Sequence, residues 1–113
     1  MAQQAVKRGN TSPLWRIGVP SYDANGQLTG GYEDLSVNYS CTVAVPSAVP
    51  AISRAVTALS SDNERYLVQL TPDETDTLAD GIHTVAIEVS NATTTPPFKV
   101  EIHLNLVVEE DLI

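Results

Sequence analysis

The chain has 113 residues, of which 42% are hydrophobic and 18% charged, which fits one globular domain with a buried core and excludes a disordered polypeptide. Its formal net charge is −8 and it contains only six Lys and Arg residues, so it lacks the cationic surface that direct nucleic-acid binding requires. A single cysteine, Cys41, excludes an intrachain disulfide and is compatible with assembly in a reducing cytoplasm.

The first dozen residues are polar and carry no hydrophobic pattern. The opening sequence MAQQAVKRGN lacks the apolar run of a signal peptide, and no segment of the chain is long and apolar enough to cross a membrane. We therefore expect no membrane contact. Residues 1–12 are predicted to be an arm that is flexible or ordered by a neighbouring subunit. Residues 13–109 are predicted to form one domain, and residues 110–113 a C-terminal tail.

A period of two dominates the rest of the chain. Over residues 36–45 apolar and polar side chains alternate, so that Val37, Cys41 and Val45 share one face, which predicts a half-buried strand. Clusters of Gly, Pro, Asn and Asp separate this strand from its neighbours and are typical of turns. In chain order, the predicted strands are residues 14–20, 36–45, 52–59, 64–70, 81–90 and 97–108.

The last two of these strands are predicted to pair as an antiparallel hairpin with a loop near Thr94. A register that turns all apolar residues to one face places Val89 opposite Phe98. The same register places Glu88 opposite Lys99 on the outer face, where an opposite-charge pair adds a small stabilisation.

Residue types that ligate metals are present but are predicted to lie apart. In the hairpin, His83 points inward and His103 outward, while Cys41 belongs to the apolar face of another strand. The sequence DANG at residues 23–26 lacks the further acidic ligands of a calcium loop, and it is typical of a tight turn. We therefore expect neither a metal nor another cofactor.

Four carboxylates fall within the sequence LTPDETDTLADG at residues 70–81, which raises the question of an acidic catalytic or cation-binding site. The stretch also contains a capping box, with Thr71 as N-cap, Pro72 at the first helical position and Glu74 three residues after the cap. It therefore predicts a short helical turn at about residues 72–79. The capping pattern leaves open whether Asp76 and Asp80 face solvent or a neighbouring subunit.

Catalytic motifs give no alternative. The chain has no G-x-S-x-G nucleophile elbow and no Gly-rich phosphate loop with its Lys. Carboxylates in exposed turns lack the enclosed setting that raises the pKa of an acid catalyst. We therefore expect a protein without enzymatic activity.

Several short strands separated by turns, with one helical turn, predict an all-β fold, an antiparallel β-sandwich. The order strand, L-T-P-x-E-T-x-x-L-x-x-G, strand, short loop, strand resembles the small immunoglobulin-like domains of tailed-phage virions, such as the N-terminal domain of phage baseplate upper proteins. The segments RGNTSPLWRIGV and NGQLTGG also look like the opening strand and turn of that family. The residues that carry the resemblance are Leu70, Thr71, Glu74, Thr75, Leu78 and Gly81.

This sequence departs from the family pattern in two ways. Ile82 stands where an aromatic residue is expected within a position or two of Gly81, and the chain ends at VVEEDLI, where a baseplate upper protein continues. The second difference suggests a small accessory virion protein.

The resemblance implies a structural, non-enzymatic virion protein of a tailed phage, assembled in the cytoplasm of the bacterial host. It implies an accessory tail, baseplate or neck component whose partners are copies of itself and other virion proteins. One alternative is a capsid decoration, or cement, protein that stabilises the head. A second is a carbohydrate- or cell-surface-binding module, for which Tyr22 and Tyr32 are the aromatic residues predicted in loops.

Contacts with such partners are predicted at the edge of the last strand and at the chain termini. The strand at residues 98–108 is the best candidate for docking or edge pairing, and the acids after it favour a basic partner surface. The predicted interaction residues are Val107, Glu109, Glu110, Asp111, Leu112, Ile113, Lys7 and Arg8.

Overall fold

The computed structural model of the protein describes residues 3–94 and 97–109. Within these ranges the regular elements are nine β-strands and one four-residue helix, so the predicted all-β fold is confirmed. In chain order the elements are β1 (Gln3–Lys7), β2 (Trp15–Ile17), β3 (Pro20–Tyr22), β4 (Leu28–Tyr32), β5 (Ser40–Val45), β6 (Ile52–Ala55), β7 (Tyr66–Val68), α1 (Pro72–Thr75), β8 (Gly81–Asn91) and β9 (Phe98–Glu109).

The strands belong to one large and two small sheets. The large sheet has the order β1-β9-β8-β5-β6, and β2–β7 and β3–β4 are two-stranded sheets. All pairings are antiparallel except that of β1 with β9, which is parallel. The finer prediction, an immunoglobulin-like sandwich, remains a prediction.

The core lies on one face of the large sheet. Alternate residues of β5, of β8 and of the second half of β9 point to this face and are buried, as the period of two predicts. The segments that cover them contribute Trp15, Tyr66, Val68, Leu70 and Leu78, all buried. The described residues contain no helix that is long and apolar enough to cross a membrane.

The predicted strand at residues 36–45 is shorter than expected. Val37 is 60% exposed, and Asn38 has a φ of 66°, in the left-handed region that ends an extended segment. The strand therefore begins at Ser40. The weaker candidates are also trimmed, to the bounds of β2, β6 and β7.

The hairpin of β8 and β9 forms with the predicted faces but in a different register. Val89 lies opposite Val100, and Phe98 lies opposite Asn91. Glu88 accordingly faces Glu101, and Lys99 reaches it diagonally, with 3.5 Å between Nζ and Oε2. A shift of two residues leaves every side chain on the same face, so alternation alone cannot distinguish the two registers.

The N-terminal segment, expected to be an arm, is part of the sheet. Gln3–Lys7 form β1 alongside the end of β9, and Val6 is buried in the shared core. Further on, Ser12 is buried and pairs with Leu70, with its backbone N–H 3.1 Å from the Leu70 carbonyl oxygen. A single buried Val and a partner strand about a hundred residues away leave no local hydrophobic pattern, which is why the sequence suggests an arm.

The molecule is elongated. Its principal extents are 54, 24 and 24 Å, and its radius of gyration is 15.7 Å, whereas about 13 Å is typical of a compact domain of this length. All five residues of β4 are exposed, which indicates that the hairpin of β3 and β4 projects from the rest of the described chain. Its turn is fixed by Asp23, whose Oδ1 accepts hydrogen bonds from the backbone N–H groups of Asn25 and Gln27.

Candidate functional site

The acidic sequence at residues 70–81 forms the predicted capping box. The Thr71 hydroxyl accepts a hydrogen bond from the Glu74 backbone N–H at 3.2 Å, and the Glu74 carboxylate accepts one from the Thr71 backbone N–H at 2.9 Å. The helix is shorter than the predicted 72–79, because α1 ends at Thr75 with Asp76 as its C-cap.

Glu74 has a second partner that the sequence did not reveal. Arg54 of β6 donates two hydrogen bonds to the Glu74 carboxylate, with 2.6 Å between Nε and Oε2 and 2.9 Å between Nη2 and Oε1. The hydrogen bonds from Arg54 hold the pKa of the Glu74 carboxyl below its usual value. A carboxylate held ionised and doubly bonded in this way is unsuited to act as a proton donor.

Thr75 ties the helix to the N-terminal segment. It is fully buried, its hydroxyl donates to the Asn10 carbonyl oxygen at 2.6 Å, and it accepts from the Gly9 backbone N–H at 3.1 Å. Its place in the motif is therefore explained by architecture. We call residues 8–10 and 71–78 together with Arg54 the closed corner.

The two acids that the capping pattern left open lie on the surface of the chain. Asp76 is exposed, and Asp80 is exposed with its Oδ1 3.4 Å from Nη1 of Arg8. The acidic stretch thus has helix-starting, pairing and exposed members, and Asp73 and Glu74 border only an open depression beside β6.

The histidines lie on opposite faces, as predicted. His83 is buried, with Nε2 2.6 Å from the Ala79 carbonyl oxygen and Nδ1 2.6 Å from the Ser47 hydroxyl. Since a carbonyl only accepts, Nε2 carries a hydrogen, and the Ser47 hydroxyl, which can donate or accept, satisfies Nδ1. His103 is exposed and lies 2.8 Å from the Glu101 carboxylate.

Cys41 is buried in the core, and burial raises the pKa of its thiol to about 11. At neutral pH it is therefore a thiol rather than a nucleophilic thiolate. Across residues 3–94 and 97–109, no three His, Cys, Asp or Glu side chains are grouped so as to hold a metal ion.

Four of the predicted interaction residues lie together at one corner of the large sheet. The parallel register places Lys7 beside Glu109, and the Arg8 backbone N–H donates to the Glu109 carbonyl oxygen at 2.8 Å. Val107 lies between Ala5 and Ile82, and Ile82 is 63% exposed. The other four, Glu110, Asp111, Leu112 and Ile113, lie outside the described residues.

A second concave surface lies at the other end of the β8–β9 hairpin. A groove of about 420 Å³ opens between the β3–β4 hairpin and the inward face of β9. This volume is within the range of about 300–1,000 Å³ that is usual for binding clefts. Its lining is largely apolar, with Val19 and Tyr22 on one side and Phe98, Val100 and Ile102 on the other.

Burial along β9 shows how the groove arises. Leu106 and Val108 are fully buried under the covering segments, but Val100 on the same face is 41% exposed. The apolar alternation therefore continues past the point where the described part of the chain covers it. On the opposite wall Tyr22 is 61% exposed, and its cross-strand neighbour Leu28, just outside the groove lining, is 64% exposed. We call the β3–β4 hairpin, the adjoining Glu33 and the inward face of residues 98–102 the open end.

One charged side chain lines the groove among the described residues. Glu33 is half-buried there, and its carboxylate makes no hydrogen bond or ion pair with any described residue. The nearby Arg65 is committed elsewhere, because its guanidinium stacks 3.5 Å from the centre of the Tyr32 ring and donates to the Glu64 carbonyl oxygen. No sequence motif identifies Glu33 as a groove residue, since a single Glu after a strand has no distinguishing pattern.

The edge of β9 is also open beside the groove. β1 pairs with β9 only along residues 105–109. Along residues 98–104, the edge of β9 away from β8 has no strand partner within the described chain. The prediction that this strand offers an edge for pairing thus applies to its first half, because β1 occupies the second.

The two loop aromatics of the sequence are strand residues at this end. Tyr22 is the last residue of β3 and Tyr32 the last residue of β4.

Comparison with known proteins gives no identification. No protein-family model matches the chain, and no curated protein matches it. The likeness to phage baseplate domains therefore remains a prediction, and the geometry of the site carries the functional argument.

Proposed function

We propose that this protein is a structural, non-enzymatic component of a tailed-phage virion, in an accessory tail, baseplate or neck position, that acts through contacts with neighbouring subunits. The proposal joins the sequence resemblance to a feature of the molecule's shape. The virion, with assembly in the host cytoplasm, is its proposed location, and other virion proteins and copies of itself are its proposed partners.

The projecting β3–β4 hairpin carries the proposal. Both residues of its Tyr22–Leu28 cross-strand pair are exposed, and β4 is exposed along its whole length. An isolated two-stranded hairpin is marginally stable in water unless its apolar side is covered. A protein that holds such an element clear of its own core gains stability when a neighbour covers it, which is the behaviour of an assembly component.

The groups that most often perform chemistry have structural partners here. Glu74 is held by Arg54, and His83 is held between Ala79 and Ser47. Cys41 is a buried thiol. These contacts favour an assembly role over an enzymatic one.

Detection in purified particles tests the proposal. Tailed-phage particles from the strain that carries the gene would be examined with antibodies against the purified protein, by immunogold labelling and quantitative mass spectrometry. We expect a constant copy number per particle and label at one position on the tail, baseplate or neck. Label spread over the head would favour the decoration alternative, and absence from washed particles would refute a virion role.

The carbohydrate-binding alternative has one favourable observation, the exposure of Tyr22 at the mouth of the groove. An exposed Tyr presents an apolar ring face together with a hydrogen-bonding hydroxyl, a combination that suits the mixed surface of a sugar. Retention of the wild-type protein, but not of Tyr22→Ala, on a host-glycan array would favour that alternative over subunit contacts.

A further inference from the structure

We propose that the groove at the open end binds an extended segment of a neighbouring protein subunit that presents apolar side chains next to an Arg or Lys, whose cationic head pairs with Glu33. This proposal rests on the proposed assembly function and specifies the chemistry of the partner. It assigns the three features of the open end, namely the apolar walls, the unpaired carboxylate and the free strand edge, to a single occupant.

The apolar walls determine the first part of that chemistry. Phe98 and Ile102 are half-buried and Val100 is 41% exposed, although all three continue the face that is fully buried farther along β9. Covering this face and the exposed Tyr22 opposite removes apolar surface from water, which is the main driving force for association. The occupant must therefore carry aliphatic or aromatic side chains.

Glu33 determines the second part. A carboxylate among apolar side chains loses hydration when the groove is filled, and this loss is costly unless a cation or hydrogen-bond donor replaces the water. No described residue provides that donor, so the occupant must do so. Arg and Lys suit this place because their aliphatic stems lie along apolar surfaces while the charged head reaches a carboxylate.

The surrounding charges favour the same partner and disfavour another copy of this chain. Residues 20–34, which form the hairpin and its exit, contain three acids and no Lys or Arg, and the guanidinium of Arg65 beside them lies on the Tyr32 ring. Lys99 belongs to the other face of β9 and pairs with Glu88. Because the chain itself carries a net charge of −8, a basic segment of a different protein is the better electrostatic match.

The free edge determines the shape of the occupant. An extended segment that pairs with residues 98–104 of β9 sends alternate side chains to the groove face. A sequence with apolar, cationic and apolar residues at every second position therefore places all three of them along the groove.

A pair of peptides tests this chemistry on the full-length protein. The probe is the acetylated and amidated heptapeptide TVTRTVT, and its control has citrulline, a neutral isostere of arginine, in place of the arginine. Amide resonances of Phe98, Val100 and Ile102 would report binding in an NMR titration. We expect the arginine peptide to bind about fivefold more tightly, the size of a modest ion pair.

Two charge-matched variants locate the effect. Glu33→Gln is expected to make the two peptides bind equally, within about twofold. Glu101→Gln removes the same charge from the opposite face of β9 and should keep the fivefold preference. Equal binding of both peptides to the wild-type protein, the same loss in both variants, or no change of the groove resonances with either peptide would overturn the proposal.

These results are separable from those on particles. A protein that is a constant component of particles but shows no preference for the arginine peptide would retain its proposed function and lose this partner chemistry. A protein that is absent from particles but shows the Glu33-dependent preference would lose its proposed function while the groove keeps its specificity for an apolar, basic segment.

Discussion

The closed corner and the open end of this molecule treat the same kinds of side chain in opposite ways. In the closed corner Leu78 is 1% exposed, Glu74 is doubly bonded to Arg54, and Thr75 has a partner for its hydroxyl on two sides. In the open end Leu28 is 64% exposed and Glu33 has no partner among the described residues. The difference separates the part that holds the fold together from the part that is left for a neighbour.

That separation has a physical basis. Glu74 and Thr75 of the closed corner have their hydrogen-bond partners within the chain, and a polar network satisfied in this way stabilises a fold. Apolar and charged groups that remain uncovered contribute little to the stability of the free chain, but they gain when a partner covers them. Matched substitutions in the two regions therefore test the comparison directly.

The largest difference is expected for loss of a leucine side chain. Leu78→Ala leaves a cavity in the core and should lower the free energy of unfolding by about 3 kcal/mol. Leu28→Ala removes the same atoms from an exposed site and should change it by less than about 0.5 kcal/mol. Urea denaturation of the two variants measures both values. Similar costs would mean that the hairpin packs against the core in solution.

A smaller difference is expected for loss of a hydroxyl. Thr75→Val keeps the shape of the side chain but leaves the Asn10 carbonyl and the Gly9 N–H without their partner, at a cost of about 2 kcal/mol. Thr29→Val in β4 removes a hydroxyl that bonds only exposed groups, so we expect a change within about 0.5 kcal/mol. The same denaturation experiment distinguishes the two, and a neutral Thr75→Val would show that the N-terminal segment is not held by this contact.

The smallest difference is expected for the carboxylates, and it depends on pH. The pKa of Glu74 is lowered in the folded state, so its contribution is present above the unfolded pKa of about 4.3 and is lost as the pH falls through the lower folded value. Glu74→Gln should therefore cost about 1 kcal/mol at pH 7, after allowance for solvent screening at the partly exposed Arg54, and progressively less in acid. Glu33→Gln should stay within about 0.5 kcal/mol of wild type at pH 7. A cost for Glu74→Gln that does not decline in acid would contradict the assigned ion pair.

The sequence predicted the closed corner better than the open end. The capping box is visible because Thr71, Pro72 and Glu74 are close in sequence and each has a local task. The faces of β8 and β9 are visible for a similar reason, since alternation is a property of one strand. The ion pair of Glu74 with Arg54 was missed because it joins separate elements.

Features that depend on distant segments could not be predicted. Alternation permits hairpin registers that differ by two residues, and it contains no information about a parallel partner such as β1. The groove exists because, within residues 3–94 and 97–109, the segments that cover β9 end before its apolar face does, and this depends on where those segments pack. The alternation of β9 therefore predicts Val100 to be a buried core residue, and no sequence pattern marks Glu33 as part of a groove.

Site-specific photo-cross-linking in assembled particles tests the central claim, that the open end is covered by a neighbouring protein, most directly. A benzophenone amino acid would replace Leu28 at the open end or, as a control, Val37, which is 60% exposed outside it. On irradiation of purified particles we predict a discrete cross-link from position 28 to another virion protein, at a segment with apolar and basic residues, and little from position 37. Particles that contain the protein but give no cross-link from position 28, or equal cross-links from both positions, would contradict the account.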